Sequence, residues 1–365
     1  VYIFYGPLVD AGAGDADAIF DAENTGDYFG KTVSALDLNG DGYDDLAISA
    51  PYDDGSKTNG GAVYIVYGSA TDLSGTQSAS VIGSTVDGIK FEGHKTSFYL
   101  GGSVSVAGDV DYDGYDDLLM GAGGCDGTGT DTGCLYLIYG TSSYNGAGGA
   151  NAVSTVGSGL FYGTKILGQN SSDQLSTVSQ GADFDGDGVD DLLFGAERFK
   201  AGDYTGAFYV LYGESGVQWD GEICLKDVLN STSSCTTSTA GTPTGARFEA
   251  KGNYLYAGKG MTVADMNSDG TDDLVFGVYD ANSSSYSGTT NTGGVYIYYG
   301  GTAYSGKITI DSLSTATDPA DVFIYGEETD DRFGYSVTNL GDVNGDGDDD
   351  ILIGANYVDE SSLTN

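Results

Sequence analysis

The sequence is poor in residues on which many common functions depend. Its 365 residues include one histidine, one tryptophan, four prolines, and 13 lysines and arginines against 54 acidic residues, for a net charge of −41. So acidic a chain is disfavoured as a partner of nucleic acid or of anionic membranes. The single histidine, His94, has no second imidazole to pair with a cysteine, and no Gly-x-Ser-x-Gly motif occurs. These features disfavour the usual nucleophilic triads.

Long apolar runs are also missing, so the sequence predicts no transmembrane segment and no direct membrane insertion. No signal peptide is present, and we expect a mature or trimmed form. Sixty-one glycines beside four prolines indicate tight turns between strands rather than disorder. A repeat reaches both ends of the chain without a linker, which predicts one domain over residues 1–365.

The repeat is most conspicuous in the segment "DLNGDGYDD" at residues 37–45. Side-chain oxygens at positions 1, 3, 5 and 9 of such a loop can converge on one point. The glycine at position 6 permits a sharp turn, and position 7 offers its backbone carbonyl. Oxygen ligands in a flexible set of about six suit Ca²⁺ better than Mg²⁺, and none is soft enough for zinc or copper. The alternative for one copy is an acidic turn on a solvated surface.

Four further copies argue against that alternative. They are "DVDYDGYDD" (109–117), "DFDGDGVDD" (183–191), "DMNSDGTDD" (265–273) and "DVNGDGDDD" (342–350), here called loops 2 to 5 after loop 1 at 37–45. An EF-hand would need a glutamate at position 12 between two helices. Position 12 is instead apolar in every copy and lies in a short apolar run such as "DLAISA", which indicates a buried strand. Each loop should therefore join two strands.

The predicted ligands of about five structural Ca²⁺ ions are the side chains at positions 1, 3, 5 and 9 and the carbonyl at position 7. They are Asp37, Asn39, Asp41, Tyr43 and Asp45; Asp109, Asp111, Asp113, Tyr115 and Asp117; Asp183, Asp185, Asp187, Val189 and Asp191; Asp265, Asn267, Asp269, Thr271 and Asp273; and Asp342, Asn344, Asp346, Asp348 and Asp350.

Each repeat contains about four strand-like segments. "FGKTVSAL" (29–36) precedes loop 1, "DLAISA" follows it, and "VYIVYG" (63–68) comes next. Apolar patches such as "IKFEG" (89–93) supply the fourth. Four short antiparallel strands per repeat, with glycine-rich turns, are typical of a β-propeller blade. The fold class is therefore all-β, a propeller of four-stranded antiparallel blades with five repeats.

The phrase "FGKTVSALDLNGDGYDDLAISAPYDDG…GAVYIVYG" resembles the FG-GAP repeat of integrin α-subunit propellers and of many microbial surface proteins. The resemblance covers essentially the whole chain and implies that a hairpin loop within each blade binds Ca²⁺ through positions 1, 3, 5, 7 and 9. At the position that opens the motif, before each loop, Phe-Gly is retained only at 29–30 and 333–334, and the Ala-Pro of the motif only at 50–51. Integrin-type rings have seven blades, whereas five repeats are recognised here.

The two ends suggest how five repeats could close. Loop 5 lacks a following Tyr-Gly strand, while the chain opens with an orphan "VYIFYG" at 1–6. We predict that residues 1–6 pair beside "DILIGA" (350–355), so that the last blade is shared between the two termini of a five-bladed ring. Two alternatives stay open: the chain is a fragment of a larger, seven-bladed ring, or its first strand completes a blade of another copy.

An extracellular or cell-surface location is favoured, because loops of this kind bind Ca²⁺ with Kd values of about 10⁻⁴–10⁻³ M. The four cysteines agree with it. Of their three possible pairings, we favour the local ones, Cys125–Cys134 and Cys224–Cys235.

The predicted function is non-catalytic: adhesion, ligand binding or a cell-surface assembly. Partners would be an extracellular protein or glycan, or copies of the chain itself, docking on the long inserts at 141–160, 214–245 and 279–293. The alternative is a Ca²⁺-dependent glycan-active enzyme, a polysaccharide lyase or hydrolase on a propeller scaffold. Trp219 should pack a long loop rather than stack on a sugar, and His94 should be an exposed turn residue.

Overall fold

The computed structural model describes residues 1–6, 12–127, 129–144, 150–156, 161–199, 205–225, 228, 243–251, 256–281, 291–311 and 320–357. Their secondary structure is almost entirely β, with a few single 3₁₀ turns. No helix in this part of the chain is both long and apolar enough to cross a bilayer.

The described strands, in chain order, are β1 (Tyr2–Ile3), β2 (Ala18–Asp21), β3 (Val33–Leu36), β4 (Asp45–Ala50), β5 (Ala62–Val66), β6 (Gly75–Ser78), β7 (Gly88–Glu92), β8 (Leu100–Gly108), β9 (Asp117–Ala122), β10 (Cys134–Ile138), β11 (Ala150–Ala152), β12 (Gly163–Leu167), β13 (Thr177–Val178), β14 (Leu192–Ala196), β15 (Ala207–Leu211), β16 (Gly221–Cys224), β17 (Gly245–Lys251), β18 (Met261–Ala264), β19 (Asp273–Val278), β20 (Gly294–Tyr298), β21 (Gly306–Asp311), β22 (Val322–Tyr325), β23 (Phe333–Gly341) and β24 (Asp350–Ala355).

Four sheets repeat one topology, with four antiparallel strands paired in sequence order. Sheet 1 is β3-β4-β5-β7, sheet 2 is β8-β9-β10-β12, sheet 3 is β13-β14-β15-β17 and sheet 4 is β18-β19-β20-β22. Loops 1 to 4 join the first two strands of sheets 1 to 4, as predicted. The fourth strand is the apolar patch that precedes the next repeat. The predicted four-stranded antiparallel blades are thus confirmed.

A fifth, parallel strand extends several sheets at the edge away from the metal-loop strand. β11 lies beside β7, β16 beside β12, and β21 beside β17. Each belongs to the connection between the third and fourth strands of the following sheet. Two of the inserts expected to receive partners, 141–160 and 214–245, thus contain a strand paired with the preceding sheet. Within the third, residues 282–290 lie outside the described residues.

A partial sheet lies at each end of the described fold. Sheet N is β1-β2-β6, and sheet C is the pair β23-β24. Tyr2 pairs with Ile19 and Ile3 with Ala18, while β24 has β23 as its one partner among the described strands. The predicted pairing of residues 1–6 with 350–355 is therefore not formed, and a closed five-bladed ring is not seen. β2, which follows β1 in the chain, pairs with it instead, in the way that the fourth strand of each full sheet pairs with the third. That residues 1–365 make one domain stays a prediction.

The hydrophobic core lies between successive sheets. One cluster joins Ile65 and Phe91 of sheet 1 to Met120 and Tyr136 of sheet 2, and similar clusters join sheets 2 with 3, 3 with 4 and 4 with C. Alternate residues of each middle strand face the two neighbouring sheets, so these strands are apolar throughout. Face-to-face packing of this kind holds loops 1 to 5 at one end of sheets 1 to 4 and sheet C.

The cysteines agree with the local pairing as far as the structure describes them. Cys125 and Cys134 form a disulfide, with Cα atoms 5.5 Å apart, so that prediction is confirmed. Cys224 is also disulfide-bonded, and its predicted partner, Cys235, lies outside the described residues.

Candidate metal loops and the opposite face

Each metal loop is closed by its own side chains. In loop 1, Asp37 accepts hydrogen bonds from the backbone N–H groups of Asp41 (3.1 Å) and Gly42 (2.9 Å). Asn39 and Asp41 each accept one from the residue two positions later. Gly42 has φ +86°, a left-handed conformation that favours glycine. The position 6 glycine therefore makes the turn that the sequence pattern required.

The other loops repeat this pattern. The position 1 aspartates of loops 2, 4 and 5 accept from the backbone at positions 5 and 6, and that of loop 3 accepts from position 6. In loops 2 and 3, where position 3 is also an aspartate, the carboxylates of positions 1, 3 and 5 offer oxygens that all lie within 4.8 Å of one another. The structure thus brings together three of the five predicted ligands in these loops.

Loop 2 provides the clearest test of whether a cation fits. Asp111 at position 3 is 2% exposed, and its buried Oδ1 has no hydrogen-bond partner among the described atoms. Its Oδ2 accepts from Gln218 Nε2 at 2.6 Å. Burial raises the pKa of Asp111, and the charges of Asp113 and Asp109 raise it further. An unsatisfied buried carboxylate oxygen beside two other carboxylates is costly without a cation, so this donor set fits Ca²⁺.

The position 9 aspartate ties the loop to the third strand of its own sheet. Asp117 is fully buried and accepts from Val110 N (3.1 Å) and Gly140 N (2.8 Å). Loops 1, 3 and 4 repeat both bonds. In loop 5, Asp350 is less buried and accepts from Val343 N. Gly140 belongs to a repeated Tyr-Gly pair, so this pair marks where the third strand meets the metal loop.

Burial dominates the acidity of these position 9 carboxylates. It raises the pKa of Asp45 to about 7, that of Asp191 to about 8 and that of Asp273 to about 6, and it holds that of Asp117 well above its usual range. Backbone hydrogen bonds act in the opposite direction and offset only part of the effect. A bound cation would favour the ionised form at each position.

The face opposite the metal loops carries tyrosines. Tyr28 and Tyr52 are 65% and 40% exposed, their ring centroids lie 4.9 Å apart, and Tyr52 lies 5.4 Å from Tyr99. Tyr28 and Tyr99 have φ values of 56° and 55°, at equivalent positions just before the first strand of a sheet. Such conformations are unfavourable for a bulky residue, and strained residues of this kind cluster at binding sites. Sequence reasoning did not single out these tyrosines, although Tyr28 and Tyr99 hold matching places in their repeats.

A cavity of about 400 Å³ adjoins the rings of Tyr52 and Tyr99. Its lining includes Lys31, Tyr52, Tyr99, Asp131 and Gln174. Two aromatic rings and several polar side chains therefore line one concave part of this face.

Two further predictions from sequence concern Trp219 and His94. Trp219 is 1% exposed, and its backbone N–H donates to Tyr139 Oη at 2.7 Å, so its packing role is confirmed. The exposed position expected for His94 is wrong. Its ring is half-buried at 4.7 Å from that of Phe98, and burial lowers its pKa.

Comparison with known proteins agrees with this geometry. The FG-GAP repeat model matches residues 29–66, 175–211 and 333–365. Integrin alpha-PS5 of Drosophila melanogaster is 29% identical over 50% of this chain, and integrin alpha-5 of Xenopus laevis is 32% identical over 48%. Phosphatidylinositol-glycan-specific phospholipase D of Dictyostelium discoideum is 28% identical over 70%. The matched regions span 16%, 15% and 24% of those relatives. The chain therefore contains three segments that match the FG-GAP repeat, and it is similar to integrin α-subunits over about half of its length.

Proposed function

We propose that the chain is a non-catalytic, extracellular Ca²⁺-binding propeller module that serves adhesion or ligand binding at a cell surface. The observation that carries the metal part is the unpartnered, buried Oδ1 of Asp111 among the convergent carboxylates of loop 2. When bound, the ions would neutralise carboxylates that otherwise repel one another, and they would stabilise the fold by linkage. The loops' own side chains hold the turn, and positions 1, 3 and 5 present oxygens to the ion.

Two chemical features of the chain, its Ca²⁺ loops and its disulfide, support the extracellular location in this proposal. Extracellular Ca²⁺ is concentrated enough to fill sites with Kd values of about 10⁻⁴–10⁻³ M, as cytosolic Ca²⁺ is not. The Cys125–Cys134 disulfide suits an oxidising environment. The integrin α-subunits among the relatives suggest an adhesion-type role, which we extend to this chain as a proposal.

The ligand face in this proposal is the tyrosine surface opposite the loops, made of Tyr28, Tyr52 and Tyr99 with the adjoining cavity. Exposed aromatic rings supply contact area at low cost in side-chain entropy and are enriched at binding surfaces. A protein or glycan ligand would dock there while the metal loops stay free to hold the sheets.

The test compares two exposed tyrosines on opposite faces. Tyr52→Ala should weaken binding to extracellular-matrix proteins or arrayed glycans, because it removes the middle ring of the surface. Tyr112→Ala is the matched control, because Tyr112 is 63% exposed but belongs to metal loop 2. Equal loss in both variants, or no loss in either, would argue against this face.

A glycan-active enzyme is the second candidate, and the phospholipase D relative is the observation that favours an enzyme. Burial raises the pKa of Tyr64, Tyr136 and Tyr209 far above neutrality, so these buried tyrosines are poorly suited as bases. Incubation with anionic polysaccharides and with phosphatidylinositol-glycans in Ca²⁺ should give no turnover. Product formation that is lost on chelation would support the enzyme instead.

A further inference from the structure

The aspartate at position 8 of each loop has no part in the ligand pattern, yet it recurs in all five copies. In four of them its Oδ2 accepts a hydrogen bond from the position 1 backbone N–H of the preceding loop. The pairs are Asp116 with Asp37 (2.9 Å), Asp190 with Asp109 (2.8 Å), Asp272 with Asp183 (3.2 Å) and Asp349 with Asp265 (3.1 Å). Each loop is thus tied to the next through the residue beside a predicted ligand.

Further hydrogen bonds join the same successive loops. Asp272 N–H also donates to Asp183 O (3.4 Å), and Asp349 N–H to Asp265 O (3.0 Å). Ser268 at position 4 of loop 4 bonds Asp348 Oδ1 at 2.6 Å. Successive loops therefore contact one another directly.

Small residues allow this approach. A Cβ on Gly40, at position 4 of loop 1, would lie 2.1 Å from the Tyr115 ring at position 7 of loop 2. A Cβ on Gly108, just before loop 2, would lie 2.3 Å from Asp190 Oδ2. Both glycines have positive φ, +67° and +73°. The loops are consequently packed too closely for one to change its backbone independently of the next.

We propose that the position 8 aspartates couple neighbouring Ca²⁺ sites, an inference that rests on the proposed metal-binding function. The coupling residue stands between positions 7 and 9 of its own loop, which a bound ion fixes. Once fixed, it holds the backbone of position 1 in the preceding loop, where the carboxylate is a ligand. Filling loop 3 thus preorganises loop 2, and by linkage filling loop 2 favours loop 3 to the same degree.

The chain contains its own control for this proposal. Asp44 occupies position 8 of loop 1, but no metal loop precedes it in this chain, and its carboxylate accepts no hydrogen bond among the described residues. Asp44→Ala and Asp190→Ala each remove one negative charge at position 8 of a loop. Only Asp190→Ala also removes a hydrogen bond to the preceding loop. Asp190→Asn keeps an acceptor oxygen and removes only the charge.

Calorimetric titration of the 365-residue chain with Ca²⁺ tests the coupling. Asp190→Ala should weaken the later of the two binding steps at loops 2 and 3 on the order of tenfold, a typical size for coupling between sites, and should leave the other loops unchanged. Adding Asp113→Ala, which removes the loop 2 site, should abolish the difference. Asp44→Ala should leave the affinities unchanged, and Asp190→Asn should retain most of the wild-type affinity. Asp116→Ala is an independent test, in which the weakened binding step must belong to loops 1 and 2.

Two results would overturn the coupling while the metal function stands. One is an equal loss of affinity in Asp190→Ala and Asp44→Ala, which would reduce the effect to charge. The other is a loss of affinity in Asp190→Ala that persists when Asp113→Ala has removed the loop 2 site, because such a loss would not depend on coupling between the two loops. An unmodified chain that takes up no Ca²⁺ would instead overturn the proposed function, and the coupling with it.

Discussion

Replacing Gly140 by alanine should damage both the fold and a metal loop, because this glycine lies where the third strand of sheet 2 meets loop 2. Its N–H donates to the buried Asp117 carboxylate at 2.8 Å. A methyl group there would lie 2.4 Å from Asp116 O, 2.6 Å from Tyr115 Cβ and 3.0 Å from Leu38 O. These atoms are backbone or Cβ, so no change of rotamer can make room.

Two costs follow from this geometry. Overpacking of a rigid site costs about 1–3 kcal/mol. If the strand moves away to relieve it, the hydrogen bond to a charged buried group is lost, which costs about 1.5–3 kcal/mol. Whichever cost is met, Gly140→Ala should lower the free energy of unfolding by about 1–3 kcal/mol.

Urea denaturation followed by circular dichroism in millimolar Ca²⁺ measures this change. Gly14→Ala is the control, because Gly14 has no positive φ and a Cβ there would meet no atom within 4 Å, so its effect should stay within about 0.5 kcal/mol. A loss below about 1 kcal/mol for Gly140→Ala would refute the reasoning that the Tyr-Gly glycine supports the loop, since even mild overpacking costs that much.

Three further predictions follow from other parts of the molecule. Lys90→Met should destabilise the fold by about 3 kcal/mol, because the buried Asp53 and the partly buried Glu23 and Glu92 lose the ammonium group they share. Lys95→Met, at an exposed pair 3.9 Å apart, should change little in the same denaturation assay. Opening the disulfide by Cys125→Ser with Cys134→Ser should increase proteolysis of residues 125–134 more than it lowers Tm, since a short loop gains less from cross-linking; a large drop in Tm would contradict this. In chelator, the folded chain holds protons on position 9 carboxylates whose pKa values reach about 8, against 3.8 ordinarily. The folded state then binds more protons than the unfolded state between about pH 4 and 8, so Tm should fall as pH rises across that window. A rise in Tm would contradict the raised pKa values of the position 9 carboxylates.

Local features were predictable from sequence, because spacing within a short loop dictates which atoms can meet. The repeated positions 1, 3, 5 and 6 of loops 2 and 3 indicated convergent carboxylates around a glycine turn, and the structure brings Asp109, Asp111 and Asp113 together accordingly. The apolar runs after each loop likewise indicated buried strands, since a strand covered on both faces has no polar alternation.

Non-local partners were not predictable in the same way. The circular spacing of the repeats suggested that residues 1–6 pair with 350–355, but pairing depends on where the intervening sheets place the two edges. The parallel strands β11, β16 and β21 left no periodic signal, because a short edge strand needs no apolar pattern. The link from Asp190 to Asp109 joins residues 81 apart. The recurrence of aspartate at position 8 was visible, but which backbone group it contacts was not.

The most direct test of the account is the number of Ca²⁺ ions that the chain binds. Native mass spectrometry after dialysis against millimolar Ca²⁺ should find five ions per chain, one for each loop, and four in Asp187→Ala, which loses a ligand of loop 3. Chelation should release them and lower Tm markedly. A chain that carries no Ca²⁺ under these conditions, or an Asp187→Ala variant that keeps every ion, would contradict the assignment of the loops as metal sites.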